Sequence, residues 1–215
     1  MSTQAPVLLF GGTFDPVHIG HLRMAVEARE FVAADTVWMV PCHRPSHRQA
    51  PGADSDQRLS MLQAALAEQP GFEIDDRELK REGASYTVDT LSEWRRELGP
   101  QRALIWCMGS DAFAAIDRWH RWRELLQLAH ILVLERPGMS LPGNSVAAQL
   151  MAGHRLPVEE VAGKPAGAVL SYQPSQLSIS ATDVRARVRS GRSLQFLVPD
   201  AVAQLIRTHD LYTAS

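Results

Sequence analysis

Lysine is almost missing from this chain: Lys80 and Lys164 are the only two among 22 basic residues. Any phosphate-binding site must therefore be assembled from arginine, histidine and backbone N–H groups. The arginine excess reads equally as a trace of genome base composition. Cysteine is scarce as well, and Cys42 and Cys107 match no zinc-ligand spacing. Two reduced thiols are expected, with Cys107 buried in a strand. No apolar run approaches the ~18 residues of a membrane span. The opening MSTQAP has neither the basic start nor the apolar stretch of a signal peptide, so a cytoplasmic protein is expected. A formal net charge of −2 gives no electrostatic footprint for nucleic acid. Neither G-x-G-x-x-G nor G-x-x-x-x-G-K-[ST] occurs, which excludes the dinucleotide fingerprint and the Walker loop. No acidic cluster resembles a two-metal cage.

What is present is an ordinary globular composition, 45% hydrophobic and 21% charged, over 215 residues. That suits one domain with a full α/β core. Apolar β-rich runs alternate with helical patterns. Strands are expected at Val7–Phe10, Thr36–Val40, Phe72–Asp76, Ala103–Met108, Ile131–Leu134 and Ala168–Tyr172. Helices are expected at His21–Val32, from Ser55 or Asp56 through Leu59, Leu62, Ala65 and Leu66, and at Thr87–Leu98. Further helical patterns cover Arg123–Ala129, Ser145–Met151, Thr182–Ser190 and Asp200–His209. In the first helix Leu22, Ala25, Val26 and Ala28 should face inward. The alternation predicts a doubly wound parallel sheet, one domain over 1–215 with a small C-terminal helical part at about 178–215. The polar, proline-rich stretch from Pro41 to Ser55 reads as a long loop. Ligands of such sheets bind beyond the strands' C-terminal ends.

Residues 11–21, GGTFDPVHIGH, stand at that edge directly after the first strand. A glycine turn feeds His18 and His21, three residues apart, with Gly20 between them. A phosphate chain could lie against the helix start while both imidazoles donate to it. Asp15 reads as a turn residue. A second signal is SISATDVRARVRSG at 178–191, where Ser180, Thr182 and Asp183 are cap-type residues and Arg185 falls in the first helical turn. The combination offers a dipole, hydroxyls and a guanidinium to a polyphosphate. Taken alone it is equally a well-capped amphipathic helix.

GGTFDPVHIGH resembles the signature of the nucleotidyltransferase superfamily, which adenylylates or cytidylylates a phosphate acceptor. Its His-x-Gly-His also occurs in class I aminoacyl-tRNA synthetases. Ile179-Ser180-Ala181-Thr182-Asp183-Val184-Arg185 resembles the superfamily's late triphosphate motif, with Ala181 where a second serine is common. Ser85-Tyr86-Thr87, Gly109-Ser110-Asp111 followed by Trp119 and Trp122, Arg136-Pro137-Gly138 and the ending Leu197–Tyr212 look like nicotinate-nucleotide adenylyltransferases. The likeness runs from residue 7 to about 212; only Gly143–Gly167 matches nothing and reads as a variable insert. Cys42 stands where a proline is common, with His43-Arg44 following as in the family.

The resemblance implies a Rossmann-like nucleotidyltransferase fold and transfer of AMP from ATP to nicotinate mononucleotide, giving deamido-NAD and pyrophosphate. It implies catalytic roles for His18, His21 and Arg185. It implies ATP contacts from Gly12, Thr13, Phe14, Gly109, Asp111, Arg136, Ser180 and Thr182. Acceptor contacts fall to His43, Ser85, Thr87, Trp119 and His120, with Trp119 as the stacking platform for the pyridine ring. Mg²⁺ would be bound mainly through ATP phosphates, with no firm protein ligand. The side chains of His47, His120, His130, His154 and His209 read as structural, His120 contributing through nearby backbone N–H groups. The competing readings are a phosphopantetheine adenylyltransferase-like enzyme, another nucleotidyltransferase, or a non-catalytic nucleotide sensor. The partners implied are ATP and nicotinate mononucleotide, with no nucleic acid and no membrane; a homo-oligomer is compatible with the sequence.

Overall fold

A computed structural model describes residues 4–43, 51–136, 138 and 141–213. Six parallel strands form one sheet in the order β3-β2-β1-β4-β5-β6. They are β1 Val7–Gly12, β2 Val37–Pro41, β3 Phe72–Ile74, β4 Leu104–Gly109, β5 His130–Leu134 and β6 Val169–Tyr172. The long connecting helices are α1 Ile19–Phe31, α2 Ser55–Leu66 and α3 Thr87–Leu98. Shorter ones are α4 Ser110–Ala114, α5 Leu125–Leu128, α6 Val146–Gly153, α7 Ala181–Arg189 and α8 Asp200–Thr208.

Alternation along the strands explains why both faces are covered. Leu8 and Phe10 of β1, Val37 and Met39 of β2 and Ile105 and Cys107 of β4 point into one core, with Ala25, Ala28, Met61 and Leu62 from α1 and α2. Val7 and Leu9, Leu104 and Trp106, and Ile131 and Val133 point into the other, with Leu91 and Trp94 of α3. A two-residue side-chain period under helices on both sides requires apolar residues at every position. Val184, Val198, Val202, Ala203, Ile206 and Leu211 join the first core, so the C-terminal helices pack as part of it.

Local readings change on α2 and on α1. The buried face of α2 keeps Leu62, Ala65 and Leu66 and adds Arg58 and Met61, whereas Leu59 is only half-buried. The cap is Asp54, whose carboxylate accepts from Gln57 while the Gln57 side chain accepts from the Asp54 backbone. On α1, Glu27 is buried with Ala25 and Ala28, whereas Val26 is half-buried. The 143–167 segment carries α6 and a 3₁₀ stretch at Val158–Gly163. The part of the 41–55 loop holding Arg44 and His47 lies outside the described residues, as does Pro137.

Candidate active site

Strand order reverses between β1 and β4, so the chain leaves their C-terminal ends in opposite directions and opens a cleft there. Gly11–Gly12 close β1 and Gly109 closes β4. The glycines are dictated by close neighbours. A Cβ on Gly11 would lie 2.2 Å from the Trp106 ring, and one on Gly12 would lie 2.7 Å from the ring of Phe14. Phe14 itself takes φ +49°, a left-handed conformation that turns the chain under Gly12.

His18 caps α1. Its backbone is extended, and its Nδ1 accepts from the His21 N–H at 3.2 Å. That bond puts the ring proton on Nε2, making His18 a neutral donor. Burial, and then the positive charge of Arg136, lowers its pKa to about 4. The imidazole therefore stays uncharged throughout the physiological range. The ring of His21 stacks on it at 3.6 Å between centroids and 20° between planes. A Cβ at position 20 would lie 3.0 Å from the His18 ring, which accounts for Gly20 between them. Part of the α1 N-terminus is already used, since Ile19 N–H donates to the Leu197 carbonyl at 2.9 Å.

Several of the residues singled out in the sequence lie around this pair. Ser180 caps α7 by accepting from Asp183 N–H, and Ser180 and Thr182 are exposed. Arg185 donates from Nη1 to the Asp15 carbonyl at 2.6 Å and approaches the Asp15 carboxylate at 3.5 Å. Its other nitrogen reaches Thr182 Oγ1 at 3.4 Å. Asp111, at the start of α4, lies 3.9 Å from the Arg136 guanidinium, and Ser110 Oγ accepts from the Arg136 N–H at 3.2 Å. Gly12, Thr13, Phe14, Gly109, Asp111 and Arg136 thus share one edge with the histidines.

A second group lies at the start of α3. Ser85 Oγ accepts from the His43 N–H at 3.0 Å, and the His43 ring bonds Ser55 Oγ at 2.8 Å. Thr87 opens α3, whose N-cap Tyr86 provides no side-chain cap; its carbonyl accepts from Asp89 N–H at 3.0 Å, and the N–H groups of Thr87 and Val88 precede any intrahelical acceptor. Tyr86 lies against the exposed His120 ring at 4.4 Å. The half-buried Trp119 packs beside the second core. A separate cavity of about 350 Å³ opens at the outer edge of β6 and is lined by none of these residues.

Three residues escaped sequence reasoning. Asp15 is a hub rather than a simple turn residue: its carboxylate accepts from Gly52 N–H, Ala53 N–H and Tyr212 Oη at 2.8 to 3.1 Å. Glu27 accepts from Ser175 N–H at 2.7 Å and pairs with Arg23 at 2.5 Å, joining α1 to the segment that enters α7. Arg58 is buried and donates to Thr13 and Cys42 carbonyls. Only Arg58 had a legible signal, because its spacing to Met61, Leu62 and Ala65 places it on the apolar stripe.

Comparison with known proteins shows the family. The cytidylyltransferase-like family model matches residues 9–187. A Cellvibrio japonicus protein described as a probable nicotinate-nucleotide adenylyltransferase is 50% identical, over 95% of this chain and 97% of its own length. A Marinobacter nauticus protein with the same description is 48% identical over 96% of each. The chain belongs to the nicotinate-nucleotide adenylyltransferase family. This adenylyltransferase also shares its fold with the Plasmodium falciparum nicotinic acid mononucleotide adenylyltransferase complexed with NaAD. The TM-score is 0.72 at 16% identity, over 97% of this chain and 98% of that one. No helix among the described residues is long and apolar enough to cross a membrane.

Proposed function

We propose that the chain transfers AMP from ATP to the phosphate of nicotinate mononucleotide, giving nicotinate adenine dinucleotide and pyrophosphate. The observation that carries this reading is the stacked His18–His21 pair, with the buried His18 held as a neutral Nε2–H donor at the start of α1. The acceptor phosphate is largely dianionic at neutral pH, since its second pKa is about 6. Its oxygen attacks the α-phosphorus, the bond to the bridging oxygen breaks, and pyrophosphate leaves with the electron pair. No proton has to be abstracted. The protein's task is in-line positioning and stabilisation of charge on the phosphate oxygens.

In this reading His18 and His21 donate to the α-phosphate side, and Ser180, Thr182 and Arg185 grip the outer phosphates. Gly12, Thr13 and Phe14 shape the turn beneath them, and Gly109, Asp111 and Arg136 line the nucleotide. Arg185 would exchange part of its Asp15 contact for phosphate. Mg²⁺ would enter with ATP and supply further neutralisation of phosphate charge. Its ligands would be chiefly phosphate and water, because Asp15 already accepts four hydrogen bonds and Asp111 lies beside Arg136. Among the described residues no group of three or more His, Cys, Asp or Glu could hold a metal.

For the acceptor, Trp119 stacks the pyridine ring, while His43, Ser85, Thr87 and His120 surround the mononucleotide. The N–H groups of Thr87 and Val88 at the start of α3 suit a carboxylate better than an amide, which brings its own donors. The test is pyrophosphate release with ATP, Mg²⁺ and either the acid or the amide mononucleotide. Higher kcat/KM with the acid is expected. Equal efficiencies would remove the acceptor assignment, and release only with phosphopantetheine would move the chain to that sister activity.

A further inference from the structure

Arg58 is 1% exposed, and no carboxylate pairs with it among the described residues. Its Nη1 donates to the carbonyls of Thr13 and Cys42, each at 2.8 Å. Its Nη2 donates to the His43 carbonyl at 3.1 Å and to Ser55 Oγ at 3.2 Å. Nε is buried with no partner. Every acceptor is neutral. Carbonyl dipoles offset only part of the cost of removing a guanidinium from water, and a buried cation normally has an anion beside it.

The nearby acids are committed elsewhere. Asp15 serves Gly52, Ala53, Tyr212 and Arg185. Glu78 accepts from Thr90 at 2.6 Å, and burial raises its carboxyl pKa, which weakens it as a counter-charge. The guanidinium meanwhile sits one carbonyl behind Thr13 in the β1–α1 turn and directly behind residues 42–43 at the end of β2. Those two segments meet where Cys42 N–H donates to the Gly12 carbonyl at 3.0 Å; the first leads into His18, and the second carries His43. Such a charge is not needed for fastening loops alone, since a neutral donor could bond the same carbonyls.

We propose that Arg58 is a buried counter-charge for the anionic substrates, its positive charge being neutralised by phosphate groups when they enter the β1–α1 turn. This rests on the proposed function, which places those phosphates there. Arg58 touches no ligand, so it is a positioning residue: it acts through the potential it creates and through the carbonyls it holds. Its contribution should scale with ligand charge, which a purely architectural role would not do.

Two variants separate the possibilities. Arg58→Gln keeps an N–H donor and removes the charge; Arg58→Lys keeps the charge and loses the planar fork. Affinities for inorganic pyrophosphate and for uncharged adenosine are measured by calorimetry, beside kcat and KM for ATP. Arg58→Gln should weaken pyrophosphate about tenfold and change adenosine by less than about twofold, as expected for one charge lost at partly screened distance. Arg58→Lys should stay within about threefold of the wild type for pyrophosphate. Equal losses for both ligands, or no loss for pyrophosphate, would overturn the inference. If Arg58→Gln does not fold, the Arg58→Lys protein decides alone: near-wild-type pyrophosphate affinity supports the charge, and a tenfold loss refutes it. A wild-type chain that releases no pyrophosphate with nicotinate mononucleotide overturns the proposed function. One that does, with an unimpaired Arg58→Gln variant, overturns this inference only.

Discussion

At the scale of single residues, His18 combines two properties that pull in opposite directions. It is buried, which disfavours its charged form, yet it lies where anionic phosphates are proposed to bind. The bond from His21 N–H to Nδ1 reconciles them by presenting a neutral donor at Nε2. Replacing His18 or His21 by alanine should lower kcat by ~10²–10³, the usual cost of losing one preorganised donor. Circular dichroism should show the fold intact; turnover near the wild-type rate in either variant would contradict the assigned roles. A second expectation concerns stability. The folded-state pKa of about 4 lies below the unfolded value of 6.5, so protonation favours the unfolded chain. The contribution is complete above pH 6.5 and shrinks as pH falls towards 4, by up to about 3 kcal/mol. Urea melts across that window should show the loss in the wild type and a shallower one in His18→Ala. Parallel pH profiles would mean that His18 titrates normally.

At the scale of elements, function depends on holding α1 and α7 in register although they are far apart in sequence. Glu27 does this from the buried side of α1. Burial raises its carboxyl pKa, but hydrogen bonds from Ser175 and the Arg23 guanidinium outweigh that and hold it at about 2. Its contribution is present above pH 4.5 and is lost as pH falls towards 2. Glu27→Ala should destabilise by ~1–3 kcal/mol, leaving the Ser175 N–H without its acceptor. It should also raise KM for ATP more than it lowers kcat, because the segment entering α7 carries Ser180, Thr182 and Arg185. Unchanged KM with lost stability would show that the tether serves folding alone. The elements themselves were legible in the sequence, because strands covered on both faces must be continuously apolar and helices must carry a stripe. The burial of Arg58 was legible only as a spacing, on the stripe of Met61, Leu62 and Ala65. Leu59 outranks Arg58 in hydrophobicity, and only the carbonyls of Thr13, Cys42 and His43 make arginine the better buried residue.

At the scale of the whole molecule, β1 is central and the C-terminal helices pack into the same core as its Leu8 and Phe10. Asp15 and Tyr212 fasten the two ends of the chain together at 2.8 Å. We propose that the chain unfolds as a single domain, in one transition with fluorescence and circular dichroism melts coinciding. A separate early transition, assigned to 178–215 by hydrogen exchange, would divide the chain into two units.

The sequence by itself determined the sheet, the glycine turn and the residue types at the rim. Those follow from local requirements: periodicity, caps, and glycines where the backbone turns. It also marked His18, His21, Ser180, Thr182 and Arg185 through their family pattern. Only the tertiary structure decided which buried charges stand behind them. Asp15 owes its burial to partners 37, 38 and 197 residues away, Glu27 to one 148 away, and Arg58 to ones 15, 16 and 45 away. A charged side chain in a helix reads as solvent-facing until the groups that desolvate and satisfy it are brought together by the fold.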